Sequence, residues 1–460
     1  MQHTLNDIIT ISGVGIHTGA KTNMTLKPAS VNTGIRFIRV DLEGNPIVKA
    51  DVDYVFSTER STGLKNGTAE IHTVEHILAA IVGAKIDNLI IEVDNIEIPI
   101  LDGSAKEFTE LIANTGVTTQ NAKRKFFEVK RKITFKDEQT GTILIAEPAD
   151  EYAVDVKIDY NSKTLGVQEV SMNSINEFNN HFSSSRTFCF LHELELLLDN
   201  NLIKGGDVNN AIVIVDDEIS SEKLSKLEKA FGKKDIKVTE GGTLNNLTLR
   251  YKNEPARHKL LDVIGDLSLL GLPIKGKITA YKPGHKNNTN FAKKLKAIMK
   301  ENISKTAPEI NFDEAPMYNK EKIKTILPHR EPFLFIDEIR EIGDDFIIGT
   351  KFVTADEDYF RGHFPGEPVM PGVLQLETMA QAGGVLILST VDNPEDYLTF
   401  FMKIDNAKFK QKVIPGDTII FRLDLISPIR RGLCHMHGKG FVNGKIVVEA
   451  DLLAQIAPKK

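Results

Sequence analysis

A polar stretch at residues 304–320, SKTAPEINFDEAPMYNK, constrains this chain more than any other segment. It carries Pro308 and Pro316, and its few apolar residues follow neither the 3.6-residue period of a helix nor the alternation of a strand. Such a segment reads as an exposed, flexible connector, so the 460 residues are expected to fold as separate parts. The 41% hydrophobic and 26% charged fractions allow each part a real core and exclude a disordered or fibrous chain. A net charge of -6 leaves no cationic excess for phosphate backbones, which excludes nucleic acid as the main partner.

Cys189 and Cys434 stand far apart in different motifs, a pattern that suits a reducing compartment better than a disulfide scaffold. The N-terminus, MQHTLNDIITISGVG, has neither early cations nor a long apolar run, so it is not read as a secretory signal and the chain is expected in the cytoplasm. The uncharged run TMAQAGGVLILSTV is shorter than the roughly 18 residues of a membrane span and reads as a buried core helix.

Two mixed blocks precede the connector, at 1–120 and 121–303. In the first, strand-like runs at 35–40 and 88–93 surround a helical stretch at 73–83. The second repeats the mixture, with strands at 141–146 and 211–215 and helices at 222–231 and 257–270. Both are α+β and could be copies of one unit. The block at 321–460 is strand-rich at 333–353, has one apolar helix at 371–390, and ends in a hairpin whose Asn443-Gly444 pair suits a type I′ turn. One helix among many strands suggests a sheet wrapped around it.

Two distant segments carry the chemistry of the first two blocks. TVEH at 73–76 opens a helix, with Thr73 as its expected N-cap. RHKLLDVIGDL places His258 and Asp262 four residues apart, on one helix face. Alone, each pair is most simply a solvated or capping histidine beside a surface acid. Together His76, His258 and Asp262 make a three-ligand nitrogen and oxygen set that leaves a tetrahedral metal one open position. Glu75, next to a ligand histidine, could then act as general base on the attacking water. In YKPGH a Pro-Gly turn presents His285 with Lys282 nearby, and a loop histidine can protonate a leaving amine.

The ordered motifs SGVGIHTG, TVEH, IPILDGSA, SRTFCF, RHKLLDVIGDL and YKPGH resemble those of the zinc-dependent UDP-3-O-acyl-N-acetylglucosamine deacetylases, the LpxC family, over about residues 1–303. The resemblance implies two similar α+β subdomains packed helix to helix, with Zn2+ on His76, His258 and Asp262, Glu75 as base and His285 as acid. It further implies that Thr187 helps hold the oxyanion, that Asp266 orients His285, that Lys259 supports the site, and that Phe188 and Lys282 meet the UDP-linked acylated sugar. Lys259 and Lys282 would supply the cations a diphosphate needs. Cys189 departs from the family, where glycine commonly follows the Thr-Phe pair. Another zinc amidohydrolase substrate stays open on the TVEH and HKxxD motifs alone.

In the last block, RGHFPGEPVMPGVLQLETMAQAGG sets His363 in a Gly-flanked loop and Glu377 inside an apolar helix, where burial would favour the protonated acid. The plainer reading pairs Glu377 with Gln381 one turn on. With LPHREPFLFID, KFKQKVIPGD and RRGL, the block resembles the 3-hydroxyacyl-[acyl carrier protein] dehydratases, the FabZ family, from about 321 to 458. That implies a hot-dog fold whose subunits pair, as a dimer or trimer of dimers, to complete each other's sites. His363 would abstract the α-proton, Glu377 of the neighbouring subunit would protonate the departing hydroxyl, and no metal or redox cofactor is needed. The N–H of Gly372, at the helix start, could polarise the thioester carbonyl. Arg361 stands where relatives are expected to have glutamine. The expectation is thus a bifunctional enzyme acting on a nucleotide sugar and on acyl carrier protein. Its rival is a third block that only binds acyl groups and clusters deacetylases.

Overall fold

A computed structural model describes residues 1–194, 210–217, 219–220, 222, 224–225, 227–228, 235–245 and 247–459. The chain folds as two compact units, Met1–Ala297 and Ile298–Lys460. Of the helix expected at 222–231, residues 222, 224, 225, 227 and 228 are described and helical, and the other five lie outside the described residues.

The first unit contains one topology twice. In its first half, β1 (Ile9–Val14), β2 (Lys21–Pro28), β3 (Ile35–Arg39), β4 (Ile47–Lys49) and β5 (Leu89–Val93) form a sheet in the order β1-β2-β5-β3-β4. Only the β3–β5 pair is parallel. Helix α1 (Glu75–Gly83) leads into β5 and α2 (Lys106–Thr115) follows it. The second half builds β6 (Ile133–Asp137), β7 (Thr142–Glu147), β8 (Tyr152–Asp159), β9 (Val167–Met172) and β10 (Ile274–Tyr281) in the corresponding order, β6-β7-β10-β8-β9. Again only the β8–β10 pair on this path is parallel. Helix α3 (Glu254–Ser268) precedes β10 and α4 (His285–Lys305) follows it. The copies expected from the sequence are therefore real.

Helices α1 and α3 pack against each other between the two sheets. After Glu75 and His76, helix α1 is apolar all round, with Ile77, Leu78, Ala79, Ala80 and Ile81 buried, as a helix covered on every side must be. The approach is closest at Gly265, where any Cβ would overlap the Glu75 carbonyl. Glycine is required there because backbone meets backbone.

In the second unit, one antiparallel sheet wraps a helix, as the hot-dog expectation has it. Strands β11 (Glu338–Ile342), β12 (Phe346–Phe352), β13 (Tyr397–Phe409), β14 (Thr418–Leu425), β15 (Leu433–Val442) and β16 (Lys445–Pro458) run in the order β11-β12-β14-β15-β16-β13 around α5 (Gly372–Leu388). Met379, Ala382, Val385 and Leu386 of α5 pack on Phe421, Leu423, Val448 and Leu452 of the sheet. Each fully buried large side chain of this kind contributes roughly 1.5–3 kcal/mol. Asn443 and Gly444 both take positive φ, +50° and +77°, as a type I′ turn requires.

The connector differs from expectation. Helix α4 runs on to Lys305, and residues 311–318 are fastened to the edge strand β11 rather than loose. Tyr318 and Ile339 exchange backbone hydrogen bonds of 3.0 and 2.9 Å. The Arg340 guanidinium donates to the Asn311 and Glu314 carbonyls at 3.4 and 2.8 Å and covers the Phe312 ring. The periodicity is irregular because the segment follows an existing edge with single anchors instead of forming an element of its own. No helix among the described residues is long and apolar enough to cross a membrane.

Candidate functional site

The α1–α3 crossing brings TVEH against RHKLLDVIGDL. His76, His258 and Asp262 are all buried, and one ligand atom from each lies within 4.8 Å of the others. His258 Nδ1 donates to the Ser185 carbonyl at 3.1 Å, which leaves the lone pair of Nε2 facing Asp262 Oδ1 at 3.4 Å. His76 Nε2 faces the same oxygen at 3.9 Å. Asp262 Oδ1 is buried and accepts no hydrogen bond. A carboxylate oxygen desolvated beside imidazole lone pairs is an arrangement that a cation resolves and that its absence makes costly. The donor set therefore fits a divalent metal with nitrogen and oxygen preference.

Electrostatics points the same way. Burial first, then the neighbouring His258, pushes His76 down to about 3, so its ring is neutral and able to ligate. Burial also lowers His258. For Asp262, burial alone acts upward but is outweighed by His258 and Lys259, which hold the carboxyl below its ordinary range. Lys259 Nζ donates to Asp262 Oδ2 at 2.7 Å and lies over the Phe188 ring. Its charge is thus engaged with the Asp262 carboxylate. Lys282 instead pairs with Asp159 at 3.2 Å, away from that cluster's bonds.

Glu75 sits at the first turn of α1, where its carboxylate accepts from the Thr62 backbone N–H at 3.0 Å. Burial pushes it up to about 7, reinforced by Asp266 and Asp262 and opposed by His285. His285 Nδ1 donates to Asp266 Oδ2 at 3.0 Å. Burial alone would lower this histidine, but the Asp266 and Asp262 carboxylates bring it to about 9. Asp266 is fixed in turn by Thr62 Oγ1 at 2.5 Å and Asn288 Nδ2 at 2.9 Å. Phe188 lies edge-on to His258 and Tyr160, and Thr187 is held through its backbone by bonds to Gly103 and Ile212.

Thr73 is not the N-cap expected of it. Val74 occupies that position without a side-chain cap, while Thr73 adopts φ +61° and donates through Oγ1 to Glu97 at 2.9 Å. Glu97 also accepts from the His17 and Thr18 backbone N–H groups and from Thr18 Oγ1. That fully buried carboxylate ties the SGVGIHTG loop to the TVEH turn, and a Cβ at Gly15 would overlap it. Sequence reasoning missed Thr62 and Glu97, because their role depends on partners remote in the chain.

The second unit holds its residues more openly. Glu377 is half-buried, not buried, because it lies at the mouth of a cavity of about 220 Å³ formed by α5 with β13–β16. It accepts from Gln381 Nε2 at 2.9 Å, as the plainer reading has it, and also faces His329 Nε2 at 3.5 Å. His329 lies in the LPHREPFLFID motif but was not singled out. The apolar cavity wall includes Ile387, Leu423, Cys434 and Met436. His363 does not line it. That histidine sits on a loop where its Nδ1 donates to the Val369 carbonyl at 2.7 Å, leaving Nε2 for other work. Gly372 begins α5 with its backbone under Phe409, whose ring a Cβ would meet at 2.7 Å.

A family model described as UDP-3-O-acyl N-acetylglycosamine deacetylase matches residues 2–233 and 225–297, and a FabA-like domain model matches 327–451. A protein named bifunctional enzyme LpxC/FabZ from Porphyromonas gingivalis is 45% identical over 459 residues, covering 100% of this chain and 99% of the relative. One of the same name from Bacteroides thetaiotaomicron is 45% identical over 460 residues with the same coverage. A UDP-3-O-acyl-N-acetylglucosamine deacetylase from Thioalkalivibrio sulfidiphilus is 38% identical over 297 residues, 64% of this chain and 89% of that one. The chain accordingly belongs to the LpxC deacetylase family, in the bifunctional form that continues into a FabA-like dehydratase domain.

Proposed function

We propose that the chain is a bifunctional cytoplasmic enzyme: a zinc deacetylase of UDP-3-O-(3-hydroxyacyl)-N-acetylglucosamine joined to a 3-hydroxyacyl-[acyl carrier protein] dehydratase. The observation that carries the deacetylase half is Asp262 Oδ1, buried without a hydrogen bond and faced by two imidazole nitrogens. His76, His258 and Asp262 would hold zinc there, which when bound would supply the Lewis acidity that amide hydrolysis needs. Glu75 takes the proton of the attacking water. The Thr187 hydroxyl donates to the oxygen on which negative charge develops. His285, kept protonated and aimed by Asp266, gives its proton to the departing amine. Phe188 and Lys282 lie on the substrate side.

The dehydratase half takes its support from the apolar cavity beside Glu377 and from β13. That strand is a sheet edge with Phe400, Phe401, Met402 and Ile404 all exposed, a surface suited to a second copy of the same domain. Pairing there, as a dimer or a trimer of dimers, would let His363 of one subunit serve Glu377 of the next. His363 removes the α-proton, Glu377 protonates the hydroxyl as it leaves as water, and the Gly372 N–H stabilises the enolate oxygen. Removing metal from the full-length protein with a chelator separates the halves. Deacetylation should disappear and return with added Zn2+, while dehydration stays unchanged. Equal loss of both activities would overturn the assignment of two independent centres.

A further inference from the structure

Helix α3 carries Glu254, His258, Asp262 and Asp266 four residues apart, and all four are buried. Two are assigned to the metal and one to His285. Glu254, wholly inaccessible, has no place in that scheme, yet it collects hydrogen bonds like a structural hub. Arg186 reaches it through Nε at 2.8 Å and Nη2 at 3.1 Å, and the Arg250 backbone N–H donates at 2.6 Å. The Arg186 backbone N–H also donates to Glu254 Oε1, at 3.1 Å.

That last bond has a particular geometry. The N–H of Arg186 and the C=O of Ser185 belong to one planar peptide and point in opposite directions. The carbonyl accepts from His258 Nδ1 and the N–H donates to Glu254. A single peptide plane is therefore clamped between two side chains one helical turn apart on α3. Its tilt sets the direction of the Ser185 carbonyl, and that carbonyl fixes both the tautomer and the rotation of the His258 ring. The next residue is Thr187.

We propose that Glu254 and Arg186 are a positioning pair for the metal centre: they lock the Ser185–Arg186 peptide so that His258 presents Nε2 to the metal and Thr187 stands where the oxyanion forms. The inference rests on the zinc deacetylase reading above. Partners that orient a ligand histidine typically change metal affinity about 10–100-fold when removed. The ion pair is buried, so breaking one side leaves an unpaired charge, whereas replacing both sides with apolar groups of similar shape preserves the fold far better.

The test uses the full-length protein with Glu254→Leu/Arg186→Met, and Glu254→Gln as a milder second variant that retains an acceptor. Zinc affinity is read by competition with a chromophoric chelator, and the ligand field by the visible absorption of the Co2+-loaded protein. The double variant should bind zinc about 10–100-fold more weakly, shift the Co2+ spectrum, and lose deacetylase kcat while KM changes little. Glu254→Gln should move the same readouts in the same direction by less. If the double variant does not fold, Glu254→Gln decides alone. Wild-type zinc affinity and kcat in a folded variant, whatever its melting temperature, would overturn the proposal and leave the deacetylase reading standing. A wild-type chain that binds no zinc would overturn that reading and the proposal together.

Discussion

Around Asp262, the carboxylates and imidazoles come from one chain, buried or nearly so, and apart from His76, whose Nδ1 has no hydrogen-bond partner, they are tied to another side chain or to backbone. Around Glu377, His329 and Gln381 are the partners found among the described residues, the carboxylate meets solvent, and His363 does not line the cavity. The first centre is fixed by the crossing of two helices in a duplicated fold, so its geometry is inherited from packing. The second is laid out along a loop, a helix and an open sheet edge, and the pairing proposed above is what would finish it. Burial within a chain yields a centre that folding alone completes. Exposure on a chain is what the proposed pairing would have to complete.

The sharpest break between the two comes from Glu75→Ala. We expect deacetylation to fall by about 10²–10⁴ with zinc still bound and dehydration intact; loss of zinc as well would make Glu75 a structural residue. His363→Ala and Glu377→Gln should each reduce dehydration by a similar factor, about 10²–10⁴. Co-expressed or refolded together, these two variants should regain about a quarter of the wild-type rate, since half the dimers are mixed and each mixed dimer has one intact site. Glu75→Ala mixed with His285→Ala should regain nothing. Recovery in both mixtures, or in neither, would erase the distinction drawn between the two centres.

A smaller effect probes the packing that creates the first centre. Gly265→Ala inserts a methyl where α3 meets the Glu75 carbonyl, so the helices must separate. The cost should be about 1–3 kcal/mol in chemical denaturation of the deacetylase unit, with weaker zinc binding. Unchanged zinc affinity at reduced stability would show that the ligand geometry tolerates a wider crossing.

Much of this was legible beforehand, and the exceptions share a cause. The clustering of His76, His258 and Asp262 could be anticipated because His258 and Asp262 are one turn apart and TVEH is a compact motif. A sheet wrapped around one helix was suggested by a single apolar helix among strands, and the family resemblance implied the hot-dog form of it. Glu254 was in plain view in the same four-residue register but lacked a visible partner, since Arg186 lies in another motif. Thr73 looked like a cap because composition does not report that Glu97 competes for its hydroxyl. Glu377 looked buried because an apolar helix hides that its one acidic residue lies at the cavity mouth. Local periodicity is written in neighbours, whereas these assignments depend on residues that only the fold makes neighbours.

The fastening of residues 311–318 to β11 bears on self-association. An open strand at the margin of a sheet is a template for any other extended chain, and β11 would be such a template if stripped. Tyr318 pairs with Ile339 of that strand, and Phe312 lies under Arg340 and against Phe352, so the segment joining the two enzymes covers part of an edge that would otherwise invite aggregation. A dehydratase fragment begun at Lys320 discards that cover, and one begun before Asn311 keeps it.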